Sequence, residues 1–443
     1  MSFWAERKFG KSINAAHKQV KFTQKMRALI IIFTFLFSVI SNTYAKTSKN
    51  AVELLTAFTG EDMKNHEPFF KYSKLTKIIN VEIHAVGNET TTARYTDEPK
   101  AWREVNNILK ITTTDGYEAI SGVDTYDLAG FNDHHLQELK NVAADIMNLQ
   151  TLDPVEVRII FLQKHPNLSN EARASIDIVL WDLAARKAGL PLHKLLGSKR
   201  SAIKPYASLP FYDTLPEYIA AVRRYSKLGF NTFKFHVWGN MEKDTLLINE
   251  VKRTFADTSY KFMIDFEYTY DLNSALKLGK MTDERLFVSF EALINDNLLE
   301  QSAELKKALS MSIIPAGYDN YSAEFIHEGI EKDAWDAGRF DATVVGGISP
   351  ALELMIIAKE AALPIDVQSW GHSLAQAANL HLMLASDNSE YFEAPMPKAA
   401  FEFGMKNGNM LKEEKIVAPE GPGLGINVDW DMLDSADFYR YYK

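Results

Sequence analysis

The chain has 443 residues, a formal net charge of −9 and no cysteine. That length points to two or more domains. The acidic balance argues against a nucleic-acid-binding surface, and the missing thiols exclude disulfide frameworks and thiolate chemistry.

Residues 28–40 form an apolar run of 13 residues after Lys21, Lys25 and Arg27, followed by Asn42-Thr-Tyr-Ala45. The run is too short to span a bilayer comfortably. A basic start, a short apolar core and small residues at the end predict a secretory signal peptide over about residues 26–45. A secreted or periplasmic protein is expected, without a stable membrane span after cleavage, and residues 1–45 stand outside the fold argument. Residues 46–75 read as a polar, helix-containing arm. A capping domain of α+β type is expected over 76–200. Ile78, Val81, Ile83 and Val86 suggest one strand, and Val105, Ile108, Leu109 and Ile111 a second, ended by the turn signal Thr114-Asp-Gly116. Between them lies a polar loop, Asn88 to Trp102, that carries Arg94 and Tyr95. Residues 135–187 are mostly helical by period.

From about Lys204, strand-like runs alternate with helical stretches. The runs end near Ser208, His236, Glu267, Glu291, Pro315, Val345 and Val367. Their spacing, roughly 22 to 30 residues, is the size of a βα unit. Seven or eight consecutive units imply a parallel barrel over residues 201–395. No Gly-x-Gly-x-x-Gly follows the first strand, which argues against a dinucleotide domain. Residues 396–443 contain the loop Gly421-Pro-Gly-Leu-Gly425 and are expected to return to the capping domain.

The barrel strands end in charge. Lys234 and His236 close one run, Asp265 and Glu267 the next, Glu291 a third, and Asp341 follows Arg339-Phe340. A charge buried without a partner costs several kcal/mol. A chain that places one at each strand end is building a shared polar site, and in a (β/α) barrel those ends converge on the catalytic face.

Residues 174–197 begin Ala-Ser-Ile-Asp-Ile-Val-Leu-Trp-Asp-Leu and run through Gly189-Leu-Pro-Leu to Gly197. Ile176, Val179, Leu180 and Leu183 give this segment an amphipathic, core-packing face. It also resembles the helix and turn that join the two domains in the enolase superfamily, mandelate racemase/muconate lactonizing enzyme subgroup. Val345-Gly-Gly-Ile-Ser349 and residues 421–425 resemble later motifs of that subgroup, and the resemblance covers roughly residues 76–430. It implies a (β/α)7β modified TIM barrel with an α+β capping domain built from N-terminal and C-terminal segments. It also implies Mg²⁺ held by three strand-end carboxylates, and a base that removes the proton alpha to a substrate carboxylate.

Residue by residue, Asp265 matches the first metal ligand and Glu291 the second. The third is open: Tyr318 stands where the family has glutamate, Asp319 follows it, and Glu267 is the other candidate. Weakened or lost metal binding is also open. Lys234-Phe-His236 matches the family's Lys-x-Lys. The resemblance gives Lys234 to the substrate carboxylate or to tuning the base, and puts His236 in the place of a lysine base. An imidazole titrates near neutrality and can do that work. Asp341 matches the aspartate of an Asp-His dyad. Gln368 occupies the histidine's place, and His372, four residues on, is the candidate replacement. Glu393 matches a glutamate that contacts the substrate carboxylate, and Arg94 and Tyr95 would select the substrate from the loop over the barrel mouth. His381 reads as structural. The expected enzyme is a homo-oligomeric lyase dehydrating an acid sugar, with epimerisation or cycloisomerisation as alternatives. A non-catalytic member binding acidic sugars is the rival, and a phosphate-binding barrel with unrelated chemistry is a weaker one.

Overall fold

The computed structural model describes residues 48–70, 76–88, 103–127, 131–198, 200–282, 284–317, 322–408, 410–412 and 414–443. The expected leader, the loop residues Arg94 and Tyr95, and Tyr318 and Asp319 lie outside these. Among the described residues no helix is long and apolar enough to cross a membrane.

Helix Ala51–Thr59 opens the arm. Asn50 caps it, and the Asp153 carboxylate accepts a hydrogen bond from the Ala51 amide. The same carboxylate caps helix Pro154–Lys164, so one side chain ties two helix starts together. A four-stranded antiparallel sheet follows, β1 (Ile78–Gly87), β2 (Arg103–Thr113) and β3 (Glu118–Asp127), with the chain's last strand, Phe438–Tyr442, paired to β1. The third strand is absent from the sequence reading. Helices His134–Met147, Pro154–Lys164 and Asn170–Ala188 account for the helical stretch.

Helix Asn170–Ala188 is buried along almost its whole length. Its polar groups make directed contacts rather than facing water. Asp182 accepts from the amides of Ile120 (2.8 Å) and Leu424 (2.7 Å) and from Arg186 (2.6 Å). Trp181 donates to Ser349 Oγ at 2.9 Å, and Asp177 accepts from the Ser349 amide at 3.0 Å. Both later segments that carry the family resemblance therefore dock on this helix.

The barrel strands are β4 (Ala202–Ser208), β5 (Thr232–His236), β6 (Lys261–Asp265), β7 (Phe287–Glu291), β8 (Ser312–Ile314), β9 (Gly338–Phe340), β10 (Ile365–Val367) and β11 (Tyr391–Pro395), with one principal helix between each consecutive pair. This is the (β/α)7β order. β11, β4, β5, β6, β7 and β8 hydrogen-bond side by side in parallel, and β9 pairs with β10. The two groups meet through the Asp336 amide on the Ile313 carbonyl (3.0 Å) and the Ile365 amide on the Asn388 carbonyl (3.0 Å). Along β5 the alternation of a strand sends Phe233 and Phe235 one way and Lys234 and His236 the other. The phenylalanines stack on Phe262, with Phe235 and Phe262 nearly parallel and 5.5 Å apart. The strand is anchored by its aromatic face, and its charged face is left for the barrel interior.

Two strand ends differ from the sequence reading. β6 ends at Asp265, and Glu267 lies beyond it with a left-handed φ of 49°. It reaches the interior by a turn, not as the next inward residue of a strand. β9 ends at Phe340, and Asp341–Gly347 is a turn leading into helix Ile348–Glu360.

Candidate active site

Strand register builds the site. His236 stands beside Asp265, Asp265 beside Glu291, and Lys234 beside Ser208. His236, Asp265 and Glu291 therefore stand in a row across β5, β6 and β7, each about one strand spacing from the next.

Lys234 is buried (2% exposed) and lies 2.6 Å from Glu393, 2.8 Å from Glu291 and 3.7 Å from Asp265. Arg339, on β9, is completely buried. It contacts Glu393 at 2.9 Å, Asp366 at 2.7 Å and Glu291 at 3.0 Å. The first two are hydrogen bonds, whereas the Nε approach to Glu291 lacks a hydrogen bond's alignment. Burial works against both cations, but the surrounding carboxylates hold both protonated well above their ordinary values. Glu393 also accepts from Ser208 Oγ at 2.8 Å. Against the cost of burial, Lys234 and Arg339 keep it ionised far below the usual range. Glu291 sits next to Asp265 instead, and burial pushes it up to about 7 despite Arg339.

His236, Asp265 and Glu267 form a second layer. One ligand-type atom from each lies within 4.8 Å of the others. His236 Nδ1 donates to the Leu209 carbonyl at 2.6 Å, which leaves Nε2 as the acceptor nitrogen, 3.5 Å from Asp265. Phe211 and Trp370 flank the ring. Burial, followed by Lys234, lowers its pKa to about 4. Glu267 is pushed well above the carboxylate range by burial and then by Asp265 and Glu291. Three donors crowded in this way, two of them carboxyls raised by burial, fit a bound divalent cation.

Among the described residues this donor set keeps Asp265 and Glu267 from the candidate ligands and differs in two respects. Glu291 is held by Lys234 and Arg339, and an imidazole stands in the group where a carboxylate was expected. Asp341 and His372 also part company. Asp341 Oδ1 accepts from Thr343 and Asn379, and burial raises its pKa to about 6. His372 Nδ1 pairs with Asp124 of β3 at 2.7 Å, and the His372 amide donates to the other Asp124 oxygen at 2.7 Å. Glu104 of β2 is 3.9 Å away. Burial opposes the charge on His372, but Asp124 and then Glu104 raise its pKa to about 9. The loop after β10 carries all of this: Ser369 meets Glu393, Trp370 meets His236, and His372 meets Asp124. Gln368 is buried, with its amide on the Phe340 carbonyl.

His381 stacks on His193 with both rings buried. Burial lowers His381 to about 3 and His193 to about 4, which keeps the pair neutral.

Four participants were missed in the sequence. Arg339 and Asp366 each precede a noted residue, Asp341 and Gln368, by two positions, and this spacing on a strand was the available signal. Asp124 and Glu104 sit on strands of the capping sheet, and nothing local marks them.

Comparison with known proteins agrees with this architecture. The family profile described as "Mandelate racemase / muconate lactonizing enzyme, N-terminal domain" matches residues 101–197, and "Enolase C-terminal domain-like" matches residues 217–432. An arabinonate dehydratase of Saccharolobus solfataricus is 26% identical over 261 residues, 58% of this chain and 69% of its own length. A D-Ala-D/L-Ala epimerase of Cytophaga hutchinsonii is 25% identical over 270 residues, 60% and 72% respectively. Further relatives include an N-succinylamino acid racemase and a D-galactarolactone cycloisomerase. A crystal structure from Pseudovibrio sp., described as a mandelate racemase/muconate lactonizing enzyme, superposes with a TM-score of 0.79 at 28% identity, covering 83% of this chain and all of the other. L-talarate/galactarate dehydratase of Salmonella typhimurium, liganded with Mg and L-lyxarohydroxamate, shares the fold at 21% identity and a TM-score of 0.73, covering 83% and 95%. The chain thus belongs to the enolase superfamily, in its mandelate racemase/muconate lactonizing enzyme subgroup, and is an enzyme of that lyase and isomerase class.

Proposed function

We propose that the protein is a metal-dependent lyase that dehydrates a hydroxylated carboxylate of the acid-sugar class. The observation that carries this reading is the convergence of Asp265, Glu267, Glu291 and Glu393 with, among the described residues, two permanent cations, Lys234 and Arg339. That excess of negative charge suits a divalent cation. The acid-sugar dehydratases among the relatives, one of them with Mg bound, support the substrate class and the need for a metal. Asp265, Glu267 and His236 would hold the cation, which would supply positive charge against the negative charge that develops on the substrate carboxylate.

The chain's own groups then divide the work. Lys234 and Arg339 keep Glu393 ionised and hold Glu291 in place. His372 handles the proton. Its Nδ1 is engaged by Asp124, so Nε2 is the exchanging atom. In its neutral form Nε2 takes the proton alpha to the carboxylate, and the C–H electron pair stays with the substrate. The imidazolium, steadied by Asp124, returns that proton to the β-hydroxyl as the C–O bond breaks, and water leaves. Asp124 is a positioning residue in this scheme.

The test is a panel of aldonates and aldarates in D₂O, followed by NMR for exchange at the alpha carbon and by mass for loss of one water. Turnover with loss of water, abolished in His372→Asn with the fold retained, is expected. Exchange without loss of water favours racemisation or epimerisation. Neither process with any acid sugar, in dication-loaded protein, overturns the proposal.

A further inference from the structure

We infer that the metal centre is a mixed imidazole–carboxylate site, His236–Asp265–Glu267, built for a first-row ion such as Zn²⁺ in preference to Mg²⁺. The inference rests on the metal-dependent reading above and assigns the ion and its third ligand.

Four observations converge. His236 is 4% exposed, and its Nε2 makes no hydrogen bond among the described residues, although it faces Asp265 at 3.5 Å. A separation of that size is long for a hydrogen bond. It is close to the spacing of about 3 to 3.5 Å between two ligands of one ion bound at about 2.1 Å. The tautomer is set from behind: Nδ1–H on the Leu209 carbonyl at 2.6 Å orients the ring and leaves the Nε2 lone pair toward the carboxylates. Metal-ligating histidines are usually held by such a backbone contact. Glu267 completes the group from a residue with φ 49°, beyond the end of its strand. Finally, Glu291 is drawn toward Lys234 and Arg339, so the all-oxygen set that Mg²⁺ prefers is broken up. Imidazole nitrogen suits Zn²⁺, Fe²⁺ and Ni²⁺, whereas Mn²⁺ shares with Mg²⁺ a preference for oxygen donors.

The experiment is metal binding by the full chain after chelator stripping. Calorimetry with ZnCl₂, MnCl₂ and MgCl₂ is combined with pulsed EPR of the Mn²⁺-loaded protein. Zn²⁺ should bind at least about tenfold more tightly than Mg²⁺, and Mn²⁺, used as the paramagnetic probe of the same site, should give a signal that carries a ¹⁴N coupling. His236→Gln should remove that coupling and lower Zn²⁺ affinity by about tenfold or more, with Mg²⁺ affinity little changed. His372→Asn, which removes the imidazole from the separate Glu104–Asp124–His372 group, should leave the coupling intact. A Mn²⁺ signal without ¹⁴N coupling, or Zn²⁺ affinity unchanged in His236→Gln, overturns the inference. If in that case Mg²⁺ still binds and Asp265→Asn abolishes its binding, the metal-dependent reading survives alone. Absence of binding by all three ions removes both.

Discussion

Two buried charge clusters lie near each other in this molecule and are held in different ways. At the strand ends, Lys234 and Arg339 serve Glu291, Glu393 and Asp366. Between the capping sheet and the barrel, His372 serves Asp124 and Glu104. The cations of the first cluster do not titrate in the ordinary range. The cation of the second exists only while an imidazole stays protonated. The first cluster is thus a permanent frame, and the second is a joint whose strength depends on pH and which can exchange a proton. His193 and His381 mark the contrast further, since burial without a carboxylate partner leaves them neutral. His372 becomes a cation because the directly bonded Asp124 outweighs its burial, whereas His236, 3.5 Å from Asp265, stays neutral because burial and Lys234 outweigh that carboxylate.

The hardest way to break the comparison is Arg339→Met. It removes one of two cations, leaves Asp366 without its ion pair in a dry interior and leaves Glu393 to Lys234 alone. The expected loss is about 3–5 kcal/mol of unfolding free energy, read by urea denaturation. A loss below about 1 kcal/mol would show that solvent or an ion already shares those carboxylates and that Arg339 is not the frame.

The second cluster should reveal itself through pH. The folded value of His372, about 9, lies above its unfolded value of about 6.5. Its contribution is fully present below about pH 6.5 and is lost as pH rises through about 9. The amount at stake is about 3 kcal/mol, to within a factor of two. Stability measured from pH 6 to 10 should fall more steeply in the parent protein than in His372→Gln. Parallel profiles would mean that His372 is not held as an imidazolium.

Much of the first cluster was legible in the chain, and little of the second. Lys234, His236, Asp265 and Glu291 each close an apolar strand, so alternation alone sends them to one face. Which carboxylate each cation would take was not legible, because that depends on register between strands and on Arg339 arriving across the barrel from β9. Asp341 and His372 were paired in the reading because family order puts them together. In the structure a capping-domain residue more than 200 positions away takes His372 instead. That partner sits on Glu118–Asp127, whose Ala-Ile-Ser-Gly-Val-Asp pattern is too mixed to announce a strand. Glu267 was legible as a residue but not as a conformation, since a left-handed turn carries no marker when the residue is not glycine.

The smallest change that sharpens the contrast is Gly371→Ala. Gly371 has φ 136°, and an added Cβ would stand 2.3 Å from Asp124 Oδ2. That oxygen cannot retreat freely, because it accepts the His372 amide while its partner oxygen holds the ring. The strained backbone and the displaced carboxylate together should cost about 2 kcal/mol. They should also lower the His372 pKa toward its ordinary value, which NMR titration of the ring can follow. Metal binding at His236–Asp265–Glu267 should stay as in the parent, since the atoms nearest an added Cβ belong to Asp124 and Ala375. If both change together, the loop after β10 couples the two clusters, and the permanent frame and the titrating joint are one device. If only His372 responds, they are independent, and pH can loosen the capping domain while the strand-end frame stays intact.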